Sequence, residues 1–437
     1  MMIYGENKNF ISFILIIIFC NLFFGNAFHN LGFFGLPLNE IILLFSLIKI
    51  GFFKSFKNLV KYNQLNIFFI YIFFGALYIL YNSLINGIWA IRDGLFIIDS
   101  LYLLIGYSIF NTFDEIKKLI KFFKIIVVFS ILYIFIFLLK SEIEFISPVI
   151  TTYSGNKTSL FFNFFSIKFT FIFSAFISFF LKDNSNEFKS LLLLFFLIFA
   201  AFIFFQSRMT YLSVIFCFLY IYIINEIKLR DVIFGITLVT LILLLVSFFQ
   251  VEIKGRLGFF NIKFFYQHFL TLFSPFFDIG IDKSEFKGQL GSVSDRLGWW
   301  KSVLYSSTND IKSFFIGSGF GKPLINFYSS SLNIPAREPH NSFLTIIGRI
   351  GFFGLFIWFI FHYKIYLNIL NLIKENYNDK DIISVVLIIN CYLIIIIVSS
   401  FGDSMLQFPC FAIPFYFFSG ILFKIHYLKF NNSIIKS

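Results

Sequence analysis

The sequence predicts an all-α polytopic membrane protein with about twelve transmembrane helices and one large extracytoplasmic loop that contains short helices. Of the 437 residues, 59% are hydrophobic and only 13% are charged, whereas soluble domains average about 25% charged residues. With 74 Phe residues, the chain carries more apolar surface than one aqueous core can hide. Apolar runs of roughly 20 residues recur along the chain, and each is long enough to cross a hydrocarbon layer of about 30 Å.

Twelve segments qualify as spans, with boundaries defined to about 2–4 residues. They are residues 10–28, 31–53, 65–86, 94–111, 122–139, 159–181, 190–207, 209–225, 232–250, 341–363, 382–400 and 406–423. Short loops join them, except for one long connection, residues 251–340. Neither a low-complexity linker nor an internal repeat divides the chain, so residues 1–437 are predicted to form a single integral membrane domain.

Lys and Arg side chains orient the bundle because short cytoplasmic loops carry an excess of them. With a cytoplasmic amino terminus, 19 of these side chains belong to the inner side and 6 lie elsewhere outside the long loop. This bias predicts that both termini are cytoplasmic and that the loop 251–340 is extracytoplasmic. It also explains the net charge of +12 without a nucleic-acid partner.

One segment of the long loop, residues 258–277, is apolar enough to span the membrane. Lys263, Gln267, Thr271 and Ser274 nevertheless recur at helical spacing and form a single polar stripe. A helix with one polar face and one Phe-rich face is typical of the membrane interface. We therefore predict that this segment lies in the interface.

Three side chains converge on the outer side of this topology. Arg208, in FFQSRMTYL, falls in the turn between the seventh and eighth spans. Arg296, in SVSDRLGWW, follows Ser294, an expected helix N-cap. His340 opens the tenth span. Two guanidinium groups that fork N–H donors toward phosphate oxygens, beside an imidazole that titrates near neutrality, predict anion binding combined with proton transfer.

Each of these residues also has a purely structural interpretation. Arg208 can snorkel to the interface, Asp295 can neutralise Arg296, and a single His at the end of a span is often a polar cap at the headgroup level. Helical phase favours a role for His340, because Leu344, Ile347, Gly351 and Gly354 follow on the same face.

Arg349 lies on the opposite face of this helix and needs a partner, because an unpaired charge inside a membrane is costly. Asp99 and Asp403 are the candidate partners.

The glycine-rich segment IGSGFGKP contains Gly317, Gly319 and Gly321 but matches no phosphate-loop pattern. An extracytoplasmic turn is expected, whose backbone N–H groups can help to hold an anion. The one Asp-x-Asp string, Asp379 to Asp381, falls on the cytoplasmic side, and the Cys and His residues lack metal-ligand spacing. The four cysteines are expected to be small buried hydrophobic residues. No metal and no cofactor is therefore expected.

The motifs QSRMTYL, SDRLGWW, IGSGFG and HNSFLTIIGRIGFFG together resemble the bacterial O-antigen ligase and O-antigen polymerase superfamily. The resemblance is concentrated in residues 200–360. Many relatives carry a glutamate where this chain has Arg349, so the role of that acid does not transfer.

The resemblance implies a metal-independent, inverting membrane glycosyltransferase of the bacterial inner membrane. Its donor would be a glycan on undecaprenyl diphosphate, and its acceptor a glycan or the lipid A core. Arg208 and Arg296 would bind the diphosphate, and His340 would accept the proton of the acceptor hydroxyl at the periplasmic face. The further residues expected to contact substrate are Arg337, Asn341, Gly319 and Trp300.

Three alternatives remain open at this stage. A polymerase that extends the lipid-linked chain would use the same outer site. A transporter or flippase for lipid-linked sugars fits twelve spans, but such proteins commonly show inverted repeats and interrupted helices, which the sequence does not display. A structural scaffold would leave the grouping of Arg208, Arg296 and His340 unexplained. Partners in a surface-polysaccharide export pathway are also possible.

Overall fold

The computed structural model describes residues 3–33, 36–51, 65–151, 157–162, 164–181, 187–248, 253–256, 259–260, 262–270, 283–325, 327–328, 335–374 and 379–436. Its α-helices are α1 (Ile3–His29), α2 (Leu38–Lys49), α3 (Asn66–Asn86), α4 (Ile88–Asp93), α5 (Leu95–Asp99), α6 (Tyr102–Ser108), α7 (Phe113–Lys117), α8 (Leu119–Leu138), α9 (Lys140–Ile143), α10 (Phe164–Phe180), α11 (Glu187–Phe205), α12 (Arg208–Ile223), α13 (Leu229–Phe248), α14 (Ile262–Leu270), α15 (Lys283–Thr308), α16 (Ile311–Ile316), α17 (Ser342–Lys374), α18 (Lys380–Ser399) and α19 (Pro409–Lys436).

Sheet is confined to two-stranded antiparallel hairpins in the described part of the chain. The pairs are β1 (Gly32–Phe33) with β2 (Leu36–Pro37), β3 (Val149–Thr151) with β4 (Lys157–Ser159), β5 (Ile253–Lys254) with β6 (Phe259–Phe260), and β7 (Phe327–Tyr328) with β8 (Pro335–Ala336). Short 3-10 helices cover Glu144–Ile146 and Met405–Gln407. The predicted all-α class is confirmed.

Seven stretches among the described residues are long and apolar enough to cross a membrane: Lys8–His29, Asn66–Asn86, Phe113–Leu138, Glu187–Phe205, Ser342–Ile373, Lys380–Ser399 and Pro409–Phe430. Three shorter apolar stretches are Leu95–Ser108, Ser166–Phe180 and Arg208–Ile223. The protein is thus multi-pass. Each of the twelve predicted segments overlaps a described helix, but the count of twelve stays a prediction.

Helices α18 and α19 occupy the centre of the bundle. In the most apolar part of α18 and of α19, 78% and 83% is buried inside the protein, respectively. The corresponding share for α3 is only 28%. Helix α19 packs closely on α6, where a Cβ on Gly106 or Gly420 would meet the backbone of the other helix. Small residues of this kind let transmembrane helices approach to backbone contact. The turn that joins α18 to α19 therefore lies at the middle of one end of the bundle.

Three described helices, α14, α15 and α16, belong to the long connection between α13 and α17. Helix α14 has nine described residues. Residues 258, 261 and 271–277 lie outside the described residues, so the interfacial interpretation of 258–277 stays a prediction.

Helix α15 differs from the sequence prediction in its length. It spans 26 residues from Lys283, whereas α14 and α16 are short, as expected of this loop. The prediction that Ser294 caps the start of α15 is wrong. Ser294 lies inside the helix because helical backbone already extends before it to Lys283, so it does not stand at the N-cap position. The predicted apolar face is confirmed, since Val303 packs with Trp299 and Trp300 against residues of α17.

Candidate functional site: a cationic cluster around Asp403

Asp403 lies in the turn between α18 and α19 and is the centre of a cluster of basic side chains. Its carboxylate oxygen Oδ1 is 3.4 Å from Arg296 Nη2 and 3.8 Å from His340 Nδ1. The other oxygen, Oδ2, is 3.9 Å from Lys168 Nζ. One carboxylate therefore joins groups from α10, α15 and the segment before α17.

Arg296 fastens α15 to this turn. Its Nη1 donates to the carbonyl oxygen of Gly402, and its Nη2 donates to Asp403. Arg208 is the first residue of α12 and lies within electrostatic range of both Arg296 and Asp403. The structure thus brings together the three predicted residues Arg208, Arg296 and His340, although their sequence separations are large.

His340 precedes α17 instead of belonging to it. Its φ of 50° lies in the left-handed region, and the helix begins at Ser342. The helical-phase argument for His340 is therefore wrong. A second reason is that α17 is itself interrupted at Gly351, where φ is 72°. The position of His340 is set instead by Asn341, which caps the helix by accepting hydrogen bonds from Phe343 N and Leu344 N.

The surroundings of His340 favour its neutral form. Burial lowers the pKa of its imidazole below the ordinary 6.5, and the positive charge of Arg296 lowers it further. The carboxylate of Asp403 acts in the opposite direction. Because Nδ1 is the nitrogen that faces Asp403, a proton on Nδ1 leaves Nε2 as the basic nitrogen. The ring also lies 5.6 Å from that of Trp299, centroid to centroid.

Positive charge dominates this end of the bundle. Arg256, which is exposed, interacts electrostatically with Lys168 and with His268. His268 lies on α14, and its Nδ1 is 3.2 Å from the hydroxyl of Tyr211 on α12. Burial, together with Arg208 and Arg256, lowers the pKa of His268 to about 4. His268 is therefore uncharged at neutral pH. The positive charge of the arginines and Lys168 at this end of the bundle is suited to binding an anion.

Sequence reasoning missed two members of the cluster. It considered Asp403 only as a partner for Arg349, and it did not single out Lys168. The signal that could have found both residues is their type: a charged side chain in or beside an apolar span is costly and therefore marks function.

Arg349 belongs to a second cluster, with Asp93, Glu338 and Arg337. It is fully buried, and its Nη2 lies 3.0 Å from Asp93 Oδ2 and 2.6 Å from Glu338 Oε1. The predicted partners, Asp99 and Asp403, are therefore wrong. The reason is that the short helix α4 carries Asp93 to Gly321, near the end of the glycine-rich segment, a placement that helical phase along α17 does not reveal.

The glycine-rich segment is held by this second cluster. Arg349 Nη1 donates to the carbonyls of Gly319 and Lys322, and Gly321 N donates to Asp93 Oδ2 at 3.0 Å. Gly319 N donates to the Arg349 carbonyl at 3.1 Å. Its φ of 85° lies in the left-handed region that glycine adopts without strain. These backbone groups are engaged within the protein.

The four residues predicted to contact substrate have contacts within the protein. Arg337 Nη2 lies 2.8 Å from Asp93 Oδ2, and its guanidinium stacks on the ring of Trp89 at 4.6 Å. Asn341 Nδ2 donates to the Phe401 carbonyl at 3.0 Å. Trp300 Nε1 donates to the Pro339 carbonyl at 2.9 Å, and the Gly319 contacts are given above. Their roles toward a substrate stay predictions.

Fold and site together define a multi-pass membrane protein with a cationic, histidine-containing cluster at one end of its bundle. Residues 193–359 match the family model described as O-antigen ligase, and this match supports membership of the chain in the O-antigen ligase family. The matched segment runs from α11 into α17 and includes Arg208, Arg296 and His340. It supports an O-antigen ligase-type function and suggests a glycan-transferring enzyme. No curated protein matches the chain significantly.

Proposed function

We propose that the protein transfers a glycan from undecaprenyl diphosphate to an acceptor hydroxyl, such as one on the lipid A core, at the periplasmic face of the bacterial inner membrane. The observation that carries the proposal is the grouping of Arg208, Arg296 and His340 around Asp403, inside or beside the segment that matches the O-antigen ligase family. An anion site next to a neutral imidazole is what such a transfer requires.

In this reaction the bond between the anomeric carbon of the sugar and the diphosphate oxygen breaks. A new bond forms between that carbon and the acceptor oxygen, and the proton of the hydroxyl passes to His340. Negative charge grows on the departing diphosphate, so arginines that are already in place stabilise the transition state more than the ground state. Direct in-line displacement inverts the configuration of the anomeric carbon.

Asp403 serves both parts of this site. Its carboxylate contacts Arg296 and so fixes the position of α15. It also lies near His340 Nδ1, where it stabilises the imidazolium that forms when the base accepts a proton. Asp403 is therefore proposed as a positioning residue.

Metal independence is part of the proposal. In many glycosyl and phosphoryl transfers a divalent cation neutralises the diphosphate. Here permanently charged guanidinium groups supply the same positive charge and fork two N–H donors toward phosphate oxygens.

The pH dependence of transfer tests this function. Full-length protein in lipid nanodiscs is given a lipid-linked glycan and an acceptor in excess EDTA. Transfer should proceed, and its rate should rise with pH along a limb whose midpoint lies below 6.5, because the neutral form of His340 is the base and its pKa is lowered. Complete loss of transfer in EDTA, or a rate that does not change between pH 4 and pH 8, would contradict the proposal.

Asp403→Asn provides a directional control in the same assay. Among the described residues, the carboxylate of Asp403 is the charge that raises the pKa of His340, and this variant removes it. The limb should therefore move to more acidic pH, and the maximal rate should fall because the imidazolium is less well stabilised.

A polymerase remains the closest alternative, because the same site would serve if the attacking hydroxyl belonged to another lipid-linked repeat. A flippase would draw support from interrupted helices, and α1 and α17 are interrupted at Gly25 and Gly351. The interruption at Gly351 receives the backbone carbonyl of Phe315 from α16, so packing between two helices of this chain explains it.

A further inference from the structure

Lys168 is a buried cation that the proposed mechanism does not yet use. It lies on the apolar helix α10, and only 2% of its surface is exposed. Its Nζ is 3.9 Å from Asp403 Oδ2 and 3.5 Å from Ser207 Oγ, the residue immediately before Arg208. It is also 4.5 Å from the ring centroid of Phe169. The ammonium group thus reaches the same point as the arginines, from another helix.

Pairing with Asp403 does not by itself account for Lys168. The carboxylate of Asp403 already accepts a hydrogen bond from Arg296 and faces His340. Among the described contacts, one negative charge is therefore shared between two positive charges, although removing an ammonium group from water is costly. A methionine beside an Arg296–Asp403 pair would avoid that cost.

The charge of the diphosphate explains what Lys168 adds to Arg208 and Arg296. A sugar diphosphate diester carries about two negative charges near pH 7, and the free diphosphate end left after transfer carries up to about three. In the described part of the site, the positive charges of Lys168, Arg208, Arg256 and Arg296 outnumber that of Asp403 by three. The cluster therefore matches the departing group more closely than the intact donor.

We infer that Lys168 is a further ligand of the donor's diphosphate, which exchanges its contact with Asp403 for a phosphate oxygen as the anion enters between Arg208 and Arg296. This inference rests on the proposed function. Its consequence is that the protein binds a free diphosphate more tightly than a single phosphate, and that Lys168 supplies a large part of the difference.

Binding of inorganic pyrophosphate to the full-length protein in nanodiscs, measured by isothermal titration calorimetry, tests this inference. Lys168→Met should weaken pyrophosphate binding by roughly ten- to a hundredfold, which is the usual effect of losing one charge-assisted hydrogen bond. Lys312→Met, at an exposed position on α16, is the matched control and should bind pyrophosphate as the wild type does. Equal affinity in Lys168→Met and wild type would overturn the inference.

A double variant separates a ligand from a structural counter-ion. If Lys168 only neutralised Asp403, then Lys168→Met would have no effect once Asp403→Asn had removed the carboxylate. A ligand role predicts that Lys168→Met/Asp403→Asn still binds pyrophosphate at least about tenfold more weakly than Asp403→Asn alone. The double variant itself leaves neither charge of this pair buried, so it can be measured against Asp403→Asn even if Lys168→Met alone does not fold.

Failure of the inference and failure of the proposed function give different results. If the wild-type protein binds no pyrophosphate, or binds it with an affinity that Arg208→Ala and Arg296→Ala leave unchanged, then the diphosphate site itself is absent from this cluster. If the wild type binds and the arginine variants lose binding while Lys168→Met keeps it, only the role of Lys168 is wrong.

Discussion

Replacing His340 with alanine is expected to slow glycan transfer by about 10²–10⁴-fold, because the acceptor hydroxyl loses its general base. The fold should survive, since His340 precedes α17 and its side chain is only partly buried. The rate is measured with saturating lipid-linked donor in nanodiscs, and folding is followed by the thermal midpoint of the purified protein.

His340→Asn is the matched variant. The backbone at this position has φ of 50°, a conformation that asparagine adopts more readily than alanine. Asparagine lacks a group that can take a proton at this pH, so it should lose as much activity as alanine while keeping the wild-type thermal midpoint. A His340→Asn variant with more than about one tenth of the wild-type rate would remove His340 from the mechanism.

Replacing Arg349 with methionine is expected to destabilise the protein by about 3–5 kcal/mol. Arg349 is fully buried, and its loss leaves the carboxylates of Asp93 and Glu338 without one of their cations. The carbonyls of Gly319 and Lys322 lose a donor as well. The thermal midpoint in detergent should fall well below that of the wild type.

Arg230→Met is the control for this measurement. The side chain of Arg230 is 76% exposed and pairs only with its neighbour Asp231 among the described residues, so its loss should change stability by no more than about 0.5 kcal/mol. If Arg349→Met were as stable as Arg230→Met, the second cluster would not hold the glycine-rich segment in the way its contacts indicate.

The fold class followed from the sequence because apolar runs of transmembrane length leave few alternatives. Helix ends were less predictable. Ser294 resembles an N-cap, yet the residues before it continue the helix to Lys283. His340 has the phase of the following helix, yet Asn341 caps that helix and His340 adopts a left-handed conformation. In both cases the conformation of the neighbouring residues determines where the helix begins, and the local sequence pattern does not.

The partners of buried charges were the least predictable part of the site. Arg349 pairs with Asp93, whereas Asp403 pairs with Arg296 and Lys168. The two members of each pair lie far apart in sequence, and the apolar pattern of a span reveals its length without its neighbours in the bundle. The motifs around Arg208, Arg296 and His340 were visible because each carries a local arrangement of polar residues.

The surface-glycan profile of a strain that lacks this protein tests the central claim most directly. The strain is complemented with wild type or with His340→Asn at equal expression. A ligase predicts that the wild type restores long glycan on the lipid A core, while His340→Asn leaves free core and accumulates long lipid-linked polymer. Core that carries a single repeat would instead indicate a polymerase. Lipid-linked units trapped on the inner side of the membrane, with no outward glycan, would indicate transport and contradict a transfer reaction at the cluster around Asp403.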